Sequence, residues 1–228
     1  MNPSVVAVCV VHAIKPDPGR VGRTAIDKRP VNGPVQVGPL GLAGDTQCDT
    51  DHHGGPGQAL YAYAEAEAQR WAAELGRPVP PGWFGENLRL RGLAVTDAVV
   101  GERWQVGSQV LLDVTAPRLP CATFGRHVDQ PHWVRRFTER GDVGAYLRVV
   151  VPGAITAGDE VRRLSMPRHG VTVREVFGVL RGDPADPDRL GWLLAEDSLI
   201  SGVRTMLERR LPQEGPLIGS ARRPDQPS

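Results

Sequence analysis

Arg103-Trp104-Gln105-Val106-Gly107-Ser108-Gln109-Val110-Leu111-Leu112-Asp113-Val114 is the stretch that decides the fold. Two runs suited to β-strands flank Gly107-Ser108, a hairpin signal. The same grammar recurs on both sides. Upstream, Val5 to Val11 has the pattern of a buried strand, and Val35-Gln36-Val37 alternates before Gly38-Pro39. Asn87-Leu88-Arg89-Leu90-Arg91 alternates as a half-buried strand does. Downstream, Tyr146 to Val151 precedes the turn Pro152-Gly153, and Asp159 to Leu164 closes the series. Many short strands with Gly/Pro turns predict a mainly β fold with α, its sheet closed into a barrel or folded as a sandwich.

Helices punctuate this pattern. Ala64, Ala68, Trp71 and Leu75 mark one helix face, and Gly76 supplies its stop. His132 to Arg140, with Trp133 and Phe137 four apart, reads as a second helix. The chain changes character after Pro167. Thr172 and Glu175 fit a capping box, and Asp186-Pro187 is a helix start. Leu199, Val203, Met206 and Leu207 share a face of a third helix there. The expected organisation is a β domain over 1–166, a helical unit over 167–214 and a flexible tail over 215–228. A helical unit of that size is marginal alone and is expected to dock on the β domain or on a second copy, as in a homodimer.

Composition narrows the function. Lys+Arg of 27 against Asp+Glu of 26 gives a net charge of +1, which argues against nucleic-acid binding by a global basic field. No stretch approaches a membrane span, and Met1 to Val11 lacks the basic start of a signal peptide. The three cysteines, Cys9, Cys48 and Cys121, form no C-x-x-C. A cytoplasmic protein with reduced thiols and no membrane partner is expected.

Several segments concentrate polar groups beyond what packing requires. Pro117-Arg118-Leu119-Pro120-Cys121 holds a thiol on a proline-stiffened approach, three residues after an arginine. Such a thiol is either a stabilised thiolate, able to bind a soft metal, or an inert buried group. Gly44 to Gly55 carries Asp45, Asp49, Asp51, His52 and His53 and reads as a metal site or as a polar turn of Asx bonds. Gly82-Trp83-Phe84-Gly85-Glu86-Asn87-Leu88 is a strand-entry turn or a place where Asn87 donates its amide to a ligand. Arg23, Lys28 and Arg29 form a basic cluster, a phosphate cradle or a solvated loop. Arg126 and His127 are candidate proton donors, whereas His12, His132 and His169 read as structural or surface groups.

Taken in order, these segments resemble the MOSC family, the molybdenum-cofactor-sulfurase C-terminal domains, and within it the YiiM-like branch. The resemblance runs from Lys28-Arg29-Pro30-Val31-Asn32-Gly33-Pro34-Val35 through Gly41-Leu42-Ala43-Gly44-Asp45, His53-Gly54-Gly55, Gly85-Glu86-Asn87-Leu88 and Pro117–Cys121. It ends on Gly144-Ala145-Tyr146-Leu147-Arg148-Val149 and Pro152-Gly153 to Gly158-Asp159. It implies a closed β-barrel with a helical tail that binds the molybdenum cofactor, a pterin dithiolene (molybdopterin) with a phosphate tail. By the same resemblance Cys121 is the protein ligand to molybdenum. Arg23, Lys28 and Arg118 face phosphate or pterin oxygens, His53 and Asn87 line the pocket, and Asp45 and Asp49 orient loops. The implied activity is reduction of small N-hydroxylated compounds such as hydroxylamines, with His53 giving protons and an external reductase giving electrons. A non-catalytic carrier of cofactor or sulfur is the alternative, and a zinc hydrolase on Asp45, Asp49 and His53 a third. Cys48, Glu102 and Ala122 depart from the pattern that the resemblance sets.

Overall fold

The computed structural model describes residues 2–48, 54–197 and 199–210. The chain opens with β1 (Ser4–Pro16), β2 (Arg23–Pro30), β3 (Val35–Gly38) and β4 (Gly41–Leu42). Then come β5 (Leu60–Ala64), α1 (Glu65–Leu75), β6 (Leu88–Arg91), β7 (Arg103–Val106) and β8 (Val110–Pro117). Next are α2 (Ala122–Val128), α3 (Trp133–Arg140), β9 (Ala145–Val151), β10 (Gly153–Ile155) and β11 (Val161–Ser165). Three helices finish the described chain: α4 (Val173–Arg181), α5 (Pro187–Leu194) and α6 (Ser201–Glu208).

The hairpin at Gly107-Ser108 forms as its sequence predicts, pairing Val106 with Val110 and Arg103 with Asp113. It forms the second and third strands of an eight-stranded sheet in the order β11-β7-β8-β9-β5-β6-β1-β2. The pair β5–β6 is parallel and the other pairs of this sheet are antiparallel. A second sheet has the order β10-β3-β4. With six α-helices against two sheets among the described residues, the fold is α+β rather than mainly β.

The expected closed barrel is not what the pairing gives: among the described residues, β2 and β11 end the order and do not pair with each other. The sheet does curl, because an isolated bridge joins Ser4 to Glu160 and Val5 N–H donates to the Asp159 carbonyl at 2.9 Å. The contact does not grow into a ladder. Beyond Val161 the strand reads Arg162-Arg163-Leu164-Ser165 and is exposed. A charged outer edge of this kind resists further strand pairing.

Inside the curl lies one core. Trp71, Phe84, Phe124, Trp133 and Phe137 are all at most 2% exposed. Their rings meet in tilted, stacked and edge-on contacts, with Trp71 and Trp133 at 4.4 Å and Phe124 and Phe137 at 4.9 Å between centroids. Helix α1 starts and stops where its apolar spacing predicts, with Gly76 left-handed at its end. The Thr172–Glu175 capping box forms, and Asp186 caps α5 through the Asp188 and Arg189 amides. Val173, Val176, Phe177, Leu193 and Leu207 belong to the same core as the sheet. Among the described residues, no helix is long and apolar enough to cross a membrane.

Candidate functional site

Beside the aromatic core is a cavity of about 200 Å³. The β1–β2 hairpin brings Asp17, Arg20 and Arg23 to it, and β2 brings Thr24, Ile26 and Lys28. The segment after β4 contributes Thr46, Gln47 and Cys48, with Gly54 and Gln58 beyond. Phe84, Gly85 and Asn87 precede β6; Arg118 and Cys121 follow β8; Tyr61 and Tyr146 stand on neighbouring β5 and β9. So five expected site residues, Arg23, Lys28, Asn87, Arg118 and Cys121, line one cavity. His53 and Asp49 lie outside the described residues.

One wall is built around Asp45, which is almost wholly buried and pairs with Lys28. Asn87 donates to the same carboxylate at 2.8 Å, and Val11 N–H donates to its other oxygen at 3.0 Å. The Asn87 amide also donates to the Cys9 carbonyl at 3.2 Å, and its Oδ1 accepts from Tyr61 N–H at 3.1 Å. Asn87 thus ties β1, β5 and Asp45 together; its amide is committed inside the protein and not offered to a ligand. The Asp45 contacts fit loop orientation, and with Lys28 and Asn87 occupying it the zinc reading loses a ligand. Among the described residues no cluster of His, Cys, Asp and Glu could hold a metal.

The turn before β6 is a scaffold. Glu86 is fully buried and accepts from Gly82 N–H at 2.8 Å and Phe84 N–H at 3.0 Å. Arg89 completes it, with Nη2 at 2.5 Å from Glu86. Gly82 has φ +87°, and a Cβ there would stand 2.3 Å from the Lys28 carbonyl. The close approach lets the turn pack on β2 and sets Phe84 and Gly85 into the cavity wall.

The opposite wall is left open electrostatically. Arg118 is 6% exposed, and its buried Nη1 has no hydrogen-bond partner among the described residues. Its guanidinium lies 3.6 Å from the Phe124 ring centroid and 5.6 Å from that of Tyr61. Cation–π contact of this kind offsets part of the cost of burying the charge but supplies no acceptor. Cys121 is half-buried at the N-cap of α2, a helix that sequence reasoning missed. The Pro117–Pro120 approach hid it, because the periodic signal of seven residues is short.

Helix α2 explains Arg126 and His127 differently from expectation. Arg126 donates twice to Asp17, at 2.8 and 2.7 Å, and Thr123 donates to Asp17 at 3.1 Å. The Arg126 bonds hold the Asp17 carboxyl down at about 2. This pair clamps the β1–β2 hairpin to the helix that starts at Cys121. Arg126 is therefore a clamp rather than a proton donor. His127 does not line the cavity, and burial lowers its pKa. The basic cluster proves to be a strand: on β2, Ala25 and Asp27 are buried, and Ala25, Ile26 and Lys28 all line the cavity. Tyr61 and Tyr146 are lining residues that sequence reasoning did not select, since aromatic residues in strands signal packing first.

The curled sheet, with a cavity lined by a half-buried thiol and a buried arginine, has known relatives. The MOSC domain family matches residues 49–162, and the chain belongs to that family. Its YiiM-like character is plain from its relatives. Protein YiiM of Escherichia coli K12 is 34% identical over 193 residues, 82% of this chain and 85% of that protein. A crystal structure of YiiM from Geobacillus stearothermophilus superposes with a TM-score of 0.75 at 25% identity, covering 92% of this chain and all of that one. A protein of Gibberella moniliformis named "Reductase" is 31% identical over 162 residues, 69% of this chain but 28% of that longer protein.

Proposed function

We propose that the cavity binds the molybdenum cofactor and that the protein is an oxidoreductase for small N-hydroxylated compounds, with Cys121 as the metal's protein ligand. The family is one of molybdenum-cofactor-associated domains, and a reductase is among the relatives. The observation that carries the reading is Arg118. A buried guanidinium nitrogen without an acceptor among the described residues is costly, and an anionic ligand in the cavity offsets that cost.

The donor set fits the cofactor. Cys121 offers the soft sulfur that suits this metal. Arg118 offers charge to anionic oxygens, and Arg23, exposed at the hairpin, is placed for a phosphate tail. Lys28 contributes through Asp45 and sets the field of the inner wall rather than acting as a free phosphate ligand. When bound, the cofactor supplies two-electron redox chemistry. The chain's own residues bind and orient the substrate, and His53 supplies a proton. Residues 122–228 contain no cysteine, so this segment holds no Cys₄ iron–sulfur centre. In this reading the electrons come from an external reductase.

The test is turnover of a hydroxylamine by cofactor-loaded protein with a chemical reductant. Amine formation is expected; cofactor release to an acceptor enzyme without amine formation would instead mark the protein as a carrier.

A further inference from the structure

The chain has three tyrosines, and their hydroxyls have different fates. Tyr61 donates to the Val143 carbonyl at 2.8 Å, and Tyr63 donates to the Asp142 carbonyl at 2.8 Å. Both are locked in the core. The Tyr146 hydroxyl bonds to no group among the described residues, and Tyr146 lines the cavity. The register explains its place. On β9, Tyr146 pairs with Ala116 of β8 on one side and Tyr61 of β5 on the other. Arg118 and Cys121 leave β8 just beyond Ala116, so the phenol stands where that segment enters the cavity. Its ring packs on Tyr61 at 5.5 Å between centroids, which fixes its direction.

We propose that Tyr146 is a proton donor to the substrate in this cavity. The proposal rests on the reductase reading above. Reduction of an N-hydroxylated amine consumes two electrons and two protons and yields an amine and water. The N–O bond breaks, and its electron pair stays with oxygen. The two electrons, from the external reductase, give the nitrogen a new lone pair. Tyr146 transfers its O–H proton to that nitrogen, forming N–H. The second proton, which His53 supplies in the reading above, joins the departing oxygen, which leaves as water. The tyrosinate recovers a proton from solvent through the cavity mouth. Arg118 cannot be the donor, because a guanidinium does not release its proton at accessible pH. Its charge instead stabilises the tyrosinate that forms. Burial raises the Tyr146 phenol while Arg118 opposes the rise, so the donor form is the one present at neutral pH.

The variant is Tyr146→Phe, which keeps the ring and removes only the hydroxyl. Cofactor-loaded Y146F is assayed on a hydroxylamine with a chemical reductant, beside molybdenum analysis of the same sample. With molybdenum content unchanged, kcat is expected to fall by about 100-fold, with KM within about threefold. In the cofactor-free protein, the phenol that ionises first as pH rises should vanish from the tyrosinate absorbance of Y146F. Equal kcat in an active wild type and Y146F overturns the assignment alone. Persistence of the first-ionising phenol in Y146F also overturns it. A fully loaded wild type that forms no amine overturns this proposal and the reductase reading together.

Discussion

The two most buried arginines beside the aromatic core make opposite use of their charge. Arg89 is fully buried and every part of its guanidinium is engaged: Glu86 at 2.5 and 2.8 Å, Glu65 at 3.2 Å, and the Pro80 carbonyl at 3.1 Å. Arg118 is nearly as buried, yet it faces aromatic rings and keeps an unpartnered nitrogen. The first arrangement satisfies itself and builds the wall of a cavity. The second is incomplete within the described residues, and its incompleteness points into that cavity. Satisfied buried charge is architecture; the buried charge left unsatisfied among the described residues, beside a thiol, is what supports the proposed site.

Breaking the satisfied side should cost most. Glu86→Ala leaves Arg89 buried without its main counter-ion and frees the Gly82 and Phe84 amides. A loss of about 3–5 kcal/mol in urea unfolding is expected. A loss below about 1 kcal/mol would mean that the Arg89 network is not what holds the turn. Arg118→Met, by contrast, removes a charged guanidinium whose buried Nη1 has no hydrogen-bond partner among the described residues. Unfolding free energy should stay within about 1 kcal/mol of wild type, the lost ring contact offsetting the relief of burial. Cofactor retention should fall by at least about tenfold, as measured by molybdenum per chain after gel filtration. A large stability loss with normal retention would invert the comparison.

A smaller effect sharpens the same distinction away from the cavity. Glu67 on α1 is 3% exposed, accepts from Thr96 N–H at 3.2 Å, and leaves its other oxygen unpartnered. Burial pushes its pKa up to about 7. A raised carboxyl means that the folded state holds the proton more tightly than the unfolded one. Its stabilisation is therefore full below the unfolded value near 4.5 and is lost as pH rises through about 7. Glu67→Gln should raise the unfolding free energy by roughly 1–3 kcal/mol at pH 8 and change little at pH 4.5. Equal effects at both pH values would show that Glu67 is already charged in the folded protein.

The sequence made these regions legible to different depths. Strand β6 and helix α1 carry strong period-2 and helical patterns, so both were placed with their limits. The capping box at Thr172 has a local cause and was equally clear. Strand β5 was missed because Leu60-Tyr61-Ala62-Tyr63-Ala64 is buried on both faces and shows no alternation against polar residues. The open sheet was missed because closure depends on whether β11 pairs beyond Val161, a tertiary matter that strand spacing does not encode. At the site, residue types pointed to Arg118 and Cys121 but could not separate them from Lys28 and Asn87. Only the contacts show that Asp45 engages the second pair and not the first. Arg126 looked like a free donor because its partner, Asp17, is 109 residues away.

The central claim is that Cys121 joins a metal at the unsatisfied wall. It is tested most directly by molybdenum analysis of wild type and Cys121→Ser, both expressed in a host that makes the cofactor. Wild type is expected to carry molybdenum and the serine variant to lose at least about nine-tenths of it, as loss of the soft ligand requires. Equal molybdenum in the two proteins would contradict the claim.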